Sequence, residues 1–371
     1  MSYSLVSEFM KLVDEGKKGN NIGLSTGLPK LDKIIYGVQR RSIVLIGGTS
    51  GSAKTTATLF SYVYQPIKQM LGNPRLKILY LSLEMSKETL LAKLLSLYIM
   101  DTFNEVVQYK EIFSLDSKIP DEKYELIKKS LHWLTTVENH LIIYDKPINA
   151  VGVDNLIKGI LSTYGKFVEQ TKYSVTFVPN YENPYFITII DHISLISPSP
   201  GNTLKQEIDD VCAKLIWLRN VASITGVIVQ QVNRGNQNVD RKKMGLTELT
   251  MADFADSSGT QNAAETIIAI NHPFREKLDE SRGYKISEIK DRFRLFSIIK
   301  GRYGQSELAF GVNFHGEIGY FTELPLPEQI KDYKPYLDPK IIYDKSDLNK
   351  KEEEPKKQRQ GFSFSGDNIE I

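Results

Sequence analysis

The chain has 371 residues, of which 41% are hydrophobic and 25% are charged, and its formal net charge is +2. This composition is typical of a globular protein with a buried core, and the length allows one large domain or two ordinary ones. The small net charge neither requires nor excludes a nucleic-acid partner, because a local basic surface can coexist with a balanced total.

Cysteine content and hydropathy restrict the cellular setting. Cys212 is the only cysteine, which excludes an internal disulfide and favours a cytoplasmic protein. No apolar run is long enough to span a membrane, and the N-terminus has no signal-peptide core. We therefore expect a chain that keeps its N-terminus, has no membrane partner and lies in the cytoplasm, or in the host cytoplasm if it is viral.

The N-terminal segment predicts a short amphipathic helix. Residues 3–16 carry Leu5, Phe9, Leu12 and Val13 at helical spacing, and the flexible sequence GKKGNN follows. Such a helix cannot bury its apolar stripe alone. It docks either on its own chain or on a neighbouring subunit, and periodicity does not separate the two.

The first buried strand leads into a candidate phosphate-binding loop, IVLIGGTSGSAKTT. The pattern G-x-x-x-x-G-K-[ST] matches from Gly48 to Thr55, except that Ala53 stands at the second glycine position. Ala53 has a cost only if its backbone needs positive φ or its methyl group blocks the nucleotide. Lys54 would reach the β- and γ-phosphates, and the Thr55 hydroxyl would bind Mg²⁺. The predicted nucleotide-binding residues are Gly48, Thr49, Ser50, Gly51, Ser52, Ala53, Lys54, Thr55 and Thr56.

Two carboxylates follow later strands. Asp191 ends the buried run FITIID, where a carboxylate beside the nucleotide crevice can hold the Mg²⁺ shell. Glu84 follows the run LYLSL and can act as the general base that orients the attacking water. The alternatives are a turn-capping Asp and a helix N-terminal acid, a role that Glu88 fits better.

Residues 24–322 alternate apolar strands with helical patterns, which predicts an α/β fold with a mostly parallel sheet covered by helices on both faces. The stretches 165–184 and 273–291 are interpreted as insertions that decorate the surface, with partner attachment and ring closure as open alternatives. The charge-dense end, from about residue 344, is predicted to be disordered, and its last residues are either a partner-binding peptide or a solvated tail. The predicted strands are SIVLIGG, LKILYLSLE, HLIIYD, YFITIIDHISLI, GVIVQQV, ETIIAIN and FRLFSIIKGR.

Five motifs occur in one characteristic order: STGLPKLDKIIYG before the loop, then SLEMS, IIDHISLI, QQVNRGN and IIKGRYG. In this order they resemble the ATPase domain of DnaB-like hexameric replicative helicases, over about residues 22–322. The compact form is similar to phage-type members, without the bacterial N-terminal domain. The resemblance implies a RecA-like P-loop ATPase core over 22–322, an N-terminal helix and linker over 1–21, and a C-terminal extension over 323–371.

The resemblance also assigns roles to residues that composition alone leaves unassigned. Gln231 matches the family's sensor glutamine at the end of a core strand. Lys300 and Arg302 match paired basic residues that reach the neighbouring subunit's nucleotide site, with Arg302 as the arginine finger. Cofactors implied are ATP, or another NTP, and Mg²⁺.

DNA contact is assigned to two loops. Basic side chains in VNRGNQNVDRKKMG would face the channel of a ring and meet phosphates. The segment ADSSGTQNAAE resembles the second pore loop, with Ala255 where bacterial members have a basic residue. Few aromatic residues occur in either loop, which favours phosphate contact over base stacking. The predicted DNA-binding residues are Arg234, Arg241, Lys242, Lys243, Ser258 and Gly259.

These observations favour a homo-hexamer or similar ring that hydrolyses ATP, translocates on single-stranded DNA and unwinds duplex ahead of it. The N-terminal helix would join neighbouring subunits, and the C-terminal tail is a candidate contact for primase, loader or single-strand-binding protein. Two alternatives stay open: a RecA/RadA-type recombinase or accessory DNA-dependent ATPase, and a non-hydrolysing nucleotide- and DNA-binding scaffold. The SLEM and KGR elements favour the helicase over the recombinase.

Overall fold

The computed structural model describes residues 5–171, 174–232, 247–254, 258–302 and 306–338. Strands in this part of the chain are β1 (Ser42–Gly48), β2 (Leu76–Ser82), β3 (Leu141–Tyr144), β4 (Gly165–Thr171), β5 (Ser174–Pro179), β6 (Tyr185–Asp191), β7 (Thr225–Gln231), β8 (Thr266–Asn271), β9 (Glu280–Ser281), β10 (Tyr284–Lys285), β11 (Phe293–Lys300), β12 (Leu308–His315) and β13 (Tyr320–Glu323).

A nine-stranded sheet forms the centre of the described structure, in the order β13-β12-β11-β8-β1-β7-β6-β2-β3. The pairs among β8, β1, β7, β6, β2 and β3 are parallel. β11, β12 and β13 extend the sheet at one edge in antiparallel pairs. The strands expected from the sequence are confirmed, whereas β12 and β13 were not expected.

Helices cover both faces of this sheet, because its central strands are apolar on both sides. In β1, for example, Ile43 and Leu45 enter one core cluster while Val44 and Ile46 enter the other. The α-helices are Leu5–Lys17, Pro29–Ile35, Lys54–Thr58, Gln65–Gln69, Lys87–Phe103, Tyr109–Ile112, Asp121–Glu138, Ala150–Tyr164, Leu204–Ala222, Ser258–Ala263 and Ile286–Ile289. A π-helical segment, Leu59–Tyr64, joins two of them, and 3₁₀ turns span Ile193–Leu195, Met251–Phe254, Lys290–Arg292, Pro327–Gln329 and Lys334–Tyr336.

The two predicted insertions contribute to cores, which corrects their interpretation as surface decoration. β4 and β5 form a hairpin whose Phe167 stacks on Trp217, with ring centroids 6.2 Å apart. In the second insertion, Tyr284 packs with Leu324 and Tyr333 in a third, smaller core cluster. The sequence does not reveal these cores because their aromatic residues are scattered between polar ones.

The N-terminal helix Leu5–Lys17 has an exposed apolar stripe. Val6, Phe9 and Leu12 are 69%, 64% and 60% exposed. Polar contacts connect the helix to the main body, since Asn183 Nδ2 donates a hydrogen bond to Glu15 Oε2 at 2.5 Å. None of the helices in the described ranges combines the length and apolar character of a membrane crossing.

Glu207 organises the loops that follow β3 and β6. Its fully buried carboxylate accepts hydrogen bonds from the Ala150 and Ser199 backbone N–H groups, at 2.7 and 2.9 Å. Ser199 Oγ and Asn202 Nδ2 also donate to it, each at 2.9 Å. These donors outweigh the opposing effect of burial and lower the pKa of Glu207 to about 2.

We expect Glu207→Ala to lower the free energy of unfolding by about 3 kcal/mol at pH 7, because two buried N–H groups lose their acceptor. Since the folded-state pKa lies below the ordinary value of 4.5, the contribution of Glu207 is present above pH 4.5 and is lost as the pH falls towards 2. Urea denaturation measures both effects. Glu169→Ala, an exposed carboxylate on β4, is the control, and an equal loss of stability in both variants would contradict the assignment.

Candidate functional site

The parallel strands bring several predicted site residues to one edge of the sheet. Gly48 at the end of β1 pairs in register with Gln231 at the end of β7. Ser82 at the end of β2 pairs with Asp191 at the end of β6. The carboxyl ends of these four strands therefore surround the loop that follows β1, which is where ligands bind in open α/β sheets.

The candidate phosphate loop folds around Lys54, the first residue of the helix Lys54–Thr58. Lys54 Nζ donates a hydrogen bond to the Thr49 carbonyl at 2.9 Å, and the Ser52 N–H donates to the same carbonyl at 3.2 Å. The loop thus wraps around the start of a helix, the arrangement in which backbone N–H groups and the helix dipole attract phosphate.

Ala53 adopts the left-handed backbone conformation that the loop requires, with φ of 76°. This conformation costs a residue with a Cβ about 1–2 kcal/mol, which glycine avoids. The methyl group of Ala53 packs against the hydrophobic core of the same face. The alanine therefore leaves the loop with the expected shape and with a local backbone strain.

Two arginines that the sequence did not indicate hold the outer side of this loop. Arg275 Nη1 donates to the Ser50 carbonyl, and Arg294 Nε donates to the Ser52 carbonyl at 3.1 Å. Gly51 has φ of 72°, and a Cβ built there would lie 2.0 Å from Arg275 Nη1. Both arginines come from the part of the chain that runs from the end of β8 into β11, far from the loop in sequence, and no motif marks them.

Lys54 is buried beneath the loop. Burial lowers the pKa of its ammonium group to about 8, although the Asp191 and Glu84 carboxylates favour the charged form. A buried cation with little charge compensation at the start of a helix is poised for an anionic ligand.

Asp191 and Thr55 lie together at the end of β6. Thr55 Oγ1 donates to Asp191 Oδ1 at 3.2 Å, and Tyr80 Oη donates to Asp191 Oδ2 at 2.6 Å. Burial nevertheless raises the pKa of Asp191. A hydroxyl beside a desolvated carboxylate fits Mg²⁺, which takes one or two carboxylates and completes its shell with water and phosphate. Consistently, the described residues contain no cluster of three or more His, Cys, Asp or Glu that could hold a metal by itself.

Glu84 is exposed on the loop after β2, and its Oε2 lies 3.9 Å from His192 Nε2. Burial lowers the pKa of His192, so the imidazole beside Glu84 is neutral near pH 7. A second lysine reaches the same region, since Lys93 Nζ donates to Thr56 Oγ1 at 3.4 Å. Burial also lowers the pKa of Lys93.

Lys300 and Arg302 lie at the opposite edge of the sheet. β11 runs antiparallel to β8, so Lys300 pairs with Ile267 at the beginning of β8. Arg302 Nη1 donates to the Arg41 carbonyl at 3.1 Å, next to the beginning of β1. At about 3.3 Å per residue, the seven residues of β1 separate this edge from Lys54 by about 20 Å.

Most of the predicted DNA-binding residues, Arg234, Arg241, Lys242 and Lys243, lie outside the described part of the chain, as does Ala255. Ser258 begins the helix Ser258–Ala263, and Gly259 lies against Asp209.

Two contacts anchor this neighbourhood to the sheet. Thr260 Oγ1 donates to Gln230 Oε1 at 2.7 Å, next to Gln231. Phe254 is fully buried against β1, where a Cβ on Gly47 would lie 1.9 Å from its ring.

Comparison with known families gives a direct match. The family model described as DnaB-like helicase C terminal domain matches residues 23–323 of the 371. The chain belongs to this family.

Relatives in the DnaB-like family have low identity to the chain. The replicative DNA helicase DnaB of Helicobacter pylori is 24% identical over 264 residues, which are 70% of this chain and 46% of that protein. The replicative DNA helicase DnaB of Rickettsia typhi is 22% identical over 252 residues, 66% of this chain and 45% of that protein. The chain therefore spans about half the length of these bacterial relatives.

Solved structures of DnaB-like proteins share the fold. The ATPase domain of a phage helicase superposes with a TM-score of 0.67 at 16% identity, covering 88% of this chain and 100% of that one. A DnaB-like replicative helicase, described with its interactions with primase, gives 0.63 at 17% identity, covering 88% and 68%. The RecA-like α/β fold predicted from the sequence is confirmed.

We expect the affinity for MgADP to fall roughly tenfold between pH 7 and pH 9, as the ammonium of Lys54 loses its proton above pH 8 in the free protein. Because bound phosphate favours the charged form, binding at pH 9 takes up a proton. Isothermal titration calorimetry in buffers of different ionisation enthalpy measures both quantities. Lys54→Arg keeps its charge throughout this range and serves as the control, so an equal pH dependence in this variant would contradict the assignment.

Proposed function

We propose that the chain is the motor of a ring-forming replicative DNA helicase, which uses ATP hydrolysis to translocate on single-stranded DNA and unwind duplex. The observation that carries this proposal is the convergence of Lys54, Thr55 and Asp191 on the phosphate loop in a chain of the DnaB-like family. A likeness in fold alone would not distinguish functions.

The residues at the carboxyl edge divide the work of phosphoryl transfer. The phosphate loop would bind the ATP phosphates through its backbone N–H groups, with Lys54 at the β- and γ-phosphates. Thr55 and Asp191 would hold Mg²⁺, which neutralises phosphate charge when bound. Glu84, exposed at the crevice, would orient the attacking water as general base, and Gln231 would sense the γ-phosphate from the end of β7.

Arg302 would complete the site of a neighbouring subunit. Its position about 20 Å from Lys54 in the same chain agrees with a role in trans, where a guanidinium stabilises the charge of the transferring phosphoryl group. Lys300 would accompany it at the same interface. A head-to-tail contact of this kind closes into a ring when the rotation between subunits permits, and we propose a homo-hexamer or similar ring.

The exposed stripe of the N-terminal helix would dock on the next subunit, because Phe9 and Leu12 are left uncovered in the single chain. DNA would pass through the channel and meet Arg234, Arg241, Lys242 and Lys243 from one loop and Ser258 and Gly259 from the other. Contacts of this type go to phosphates and carry no sequence preference.

The remaining proposals concern partners and location. A DnaB-like relative of known structure is described with primase, and we propose that the tail beyond residue 338 contacts primase, a loader or single-strand-binding protein. The domain division proposed is an N-terminal helix and linker over 1–21, the motor over 22–322 and the extension over 323–371. A cytoplasmic location follows from a role in replication.

A forked DNA substrate with one labelled strand tests the helicase function. We expect strand displacement that requires ATP, Mg²⁺ and a single-stranded tail, and that is lost in Lys54→Ala because the phosphates lose their cation. Lys277→Ala, which removes an exposed lysine outside the proposed machinery, is the control. Displacement without ATP, or an unchanged rate in Lys54→Ala, would contradict the proposal.

A further inference from the structure

The phosphate loop has partners for carbonyl groups on both sides of its strained residue. The Thr49 carbonyl accepts from Lys54, and the Ala53 carbonyl accepts from the Ala57 N–H at 2.8 Å within the helix. Between them, the Ser50 and Ser52 carbonyls are held by Arg275 and Arg294, as described above. A carbonyl that points outwards fixes the plane of its peptide and directs the N–H of that peptide to the other side.

The two arginines are anchored differently. Arg294 is buried, and its Nη1 donates to the Asp291 and Phe293 carbonyls at 2.6 and 2.8 Å, so its guanidinium is fixed. Arg275 lies on an exposed turn closed by its own N–H, which donates to the His272 carbonyl at 3.1 Å. Gly51 leaves the space that the Arg275 guanidinium occupies.

Ala53 explains why such a support is needed. With φ of 76°, the alanine favours relaxation of the loop to a conformation with negative φ, in which the peptides around it turn. A ligand that binds only the strained loop loses affinity in proportion to the population that has relaxed.

We propose that Arg275 and Arg294 act as positioning residues that hold this alanine-containing loop in its nucleotide-binding conformation. The inference rests on the proposed nucleotide site, and it gives the part of the chain from the end of β8 into β11 a role in that site. The arginines act through the loop peptides, so the support matters only as long as residue 53 is strained.

A double-mutant cycle between positions 53 and 275 tests this coupling, with MgADP affinity measured by isothermal titration calorimetry. Arg275→Gln is chosen because Arg275 is exposed, whereas loss of the buried Arg294 would disturb the core. In the natural chain we expect Arg275→Gln to weaken MgADP binding about tenfold. In the Ala53→Gly background we expect a loss of about threefold or less, because glycine adopts positive φ without strain.

Lys277→Gln is the matched control, since it removes one positive charge from the same exposed turn, and we expect less than a twofold change. Equal losses from Arg275→Gln in both backgrounds would overturn the inference, because Arg275 would then act on the nucleotide directly. No loss in the natural chain would overturn it as well. If the natural chain binds no MgADP, the proposed function fails too, an outcome distinct from binding that is insensitive to Arg275.

Discussion

The direction of the strands determines what one chain can build. Parallel pairing of β1, β7, β6 and β2 brings the phosphate loop, Glu84, Asp191 and Gln231 to a single edge. The antiparallel strand β11 returns in the opposite direction and leaves Arg302 at the other edge. The same sheet therefore assembles most of a phosphoryl-transfer site and separates it from its proposed finger, so a complete site needs two subunits in head-to-tail contact.

The loop itself shows how distant segments compensate for a local departure. Ala53 costs about 1–2 kcal/mol in its left-handed conformation. Hydrogen bonds to charged groups contribute about 1.5–3 kcal/mol, and less at exposed positions such as Arg275. The two effects are of similar size, so the loop retains its shape without the second glycine. Lys54, Thr55 and Asp191 keep their contacts around it.

Patterns that act locally were sufficient to predict the central strands, the loop and the carboxylates after β2 and β6. Near-continuous Val, Ile and Leu runs specify buried parallel strands, and residues at the ends of those strands meet by geometry alone. The arginine support, Lys93 beside Thr56 and the third core around Tyr284 could not be predicted in this way. Each depends on contacts between segments far apart in sequence, which no periodicity or motif records. The roles of Gln231, Lys300 and Arg302 rest on the family resemblance.

Subunit mixing tests the shared site most directly. Lys54→Ala and Arg302→Ala should each abolish ATP hydrolysis alone. Mixed in equal amounts, about a quarter of the head-to-tail contacts pair an intact phosphate loop with an intact Arg302, so activity should return in part. Steady-state ATP hydrolysis with single-stranded DNA measures this recovery. Full activity of Arg302→Ala alone, or no recovery in mixtures shown to contain both subunits, would contradict a nucleotide site completed between neighbours.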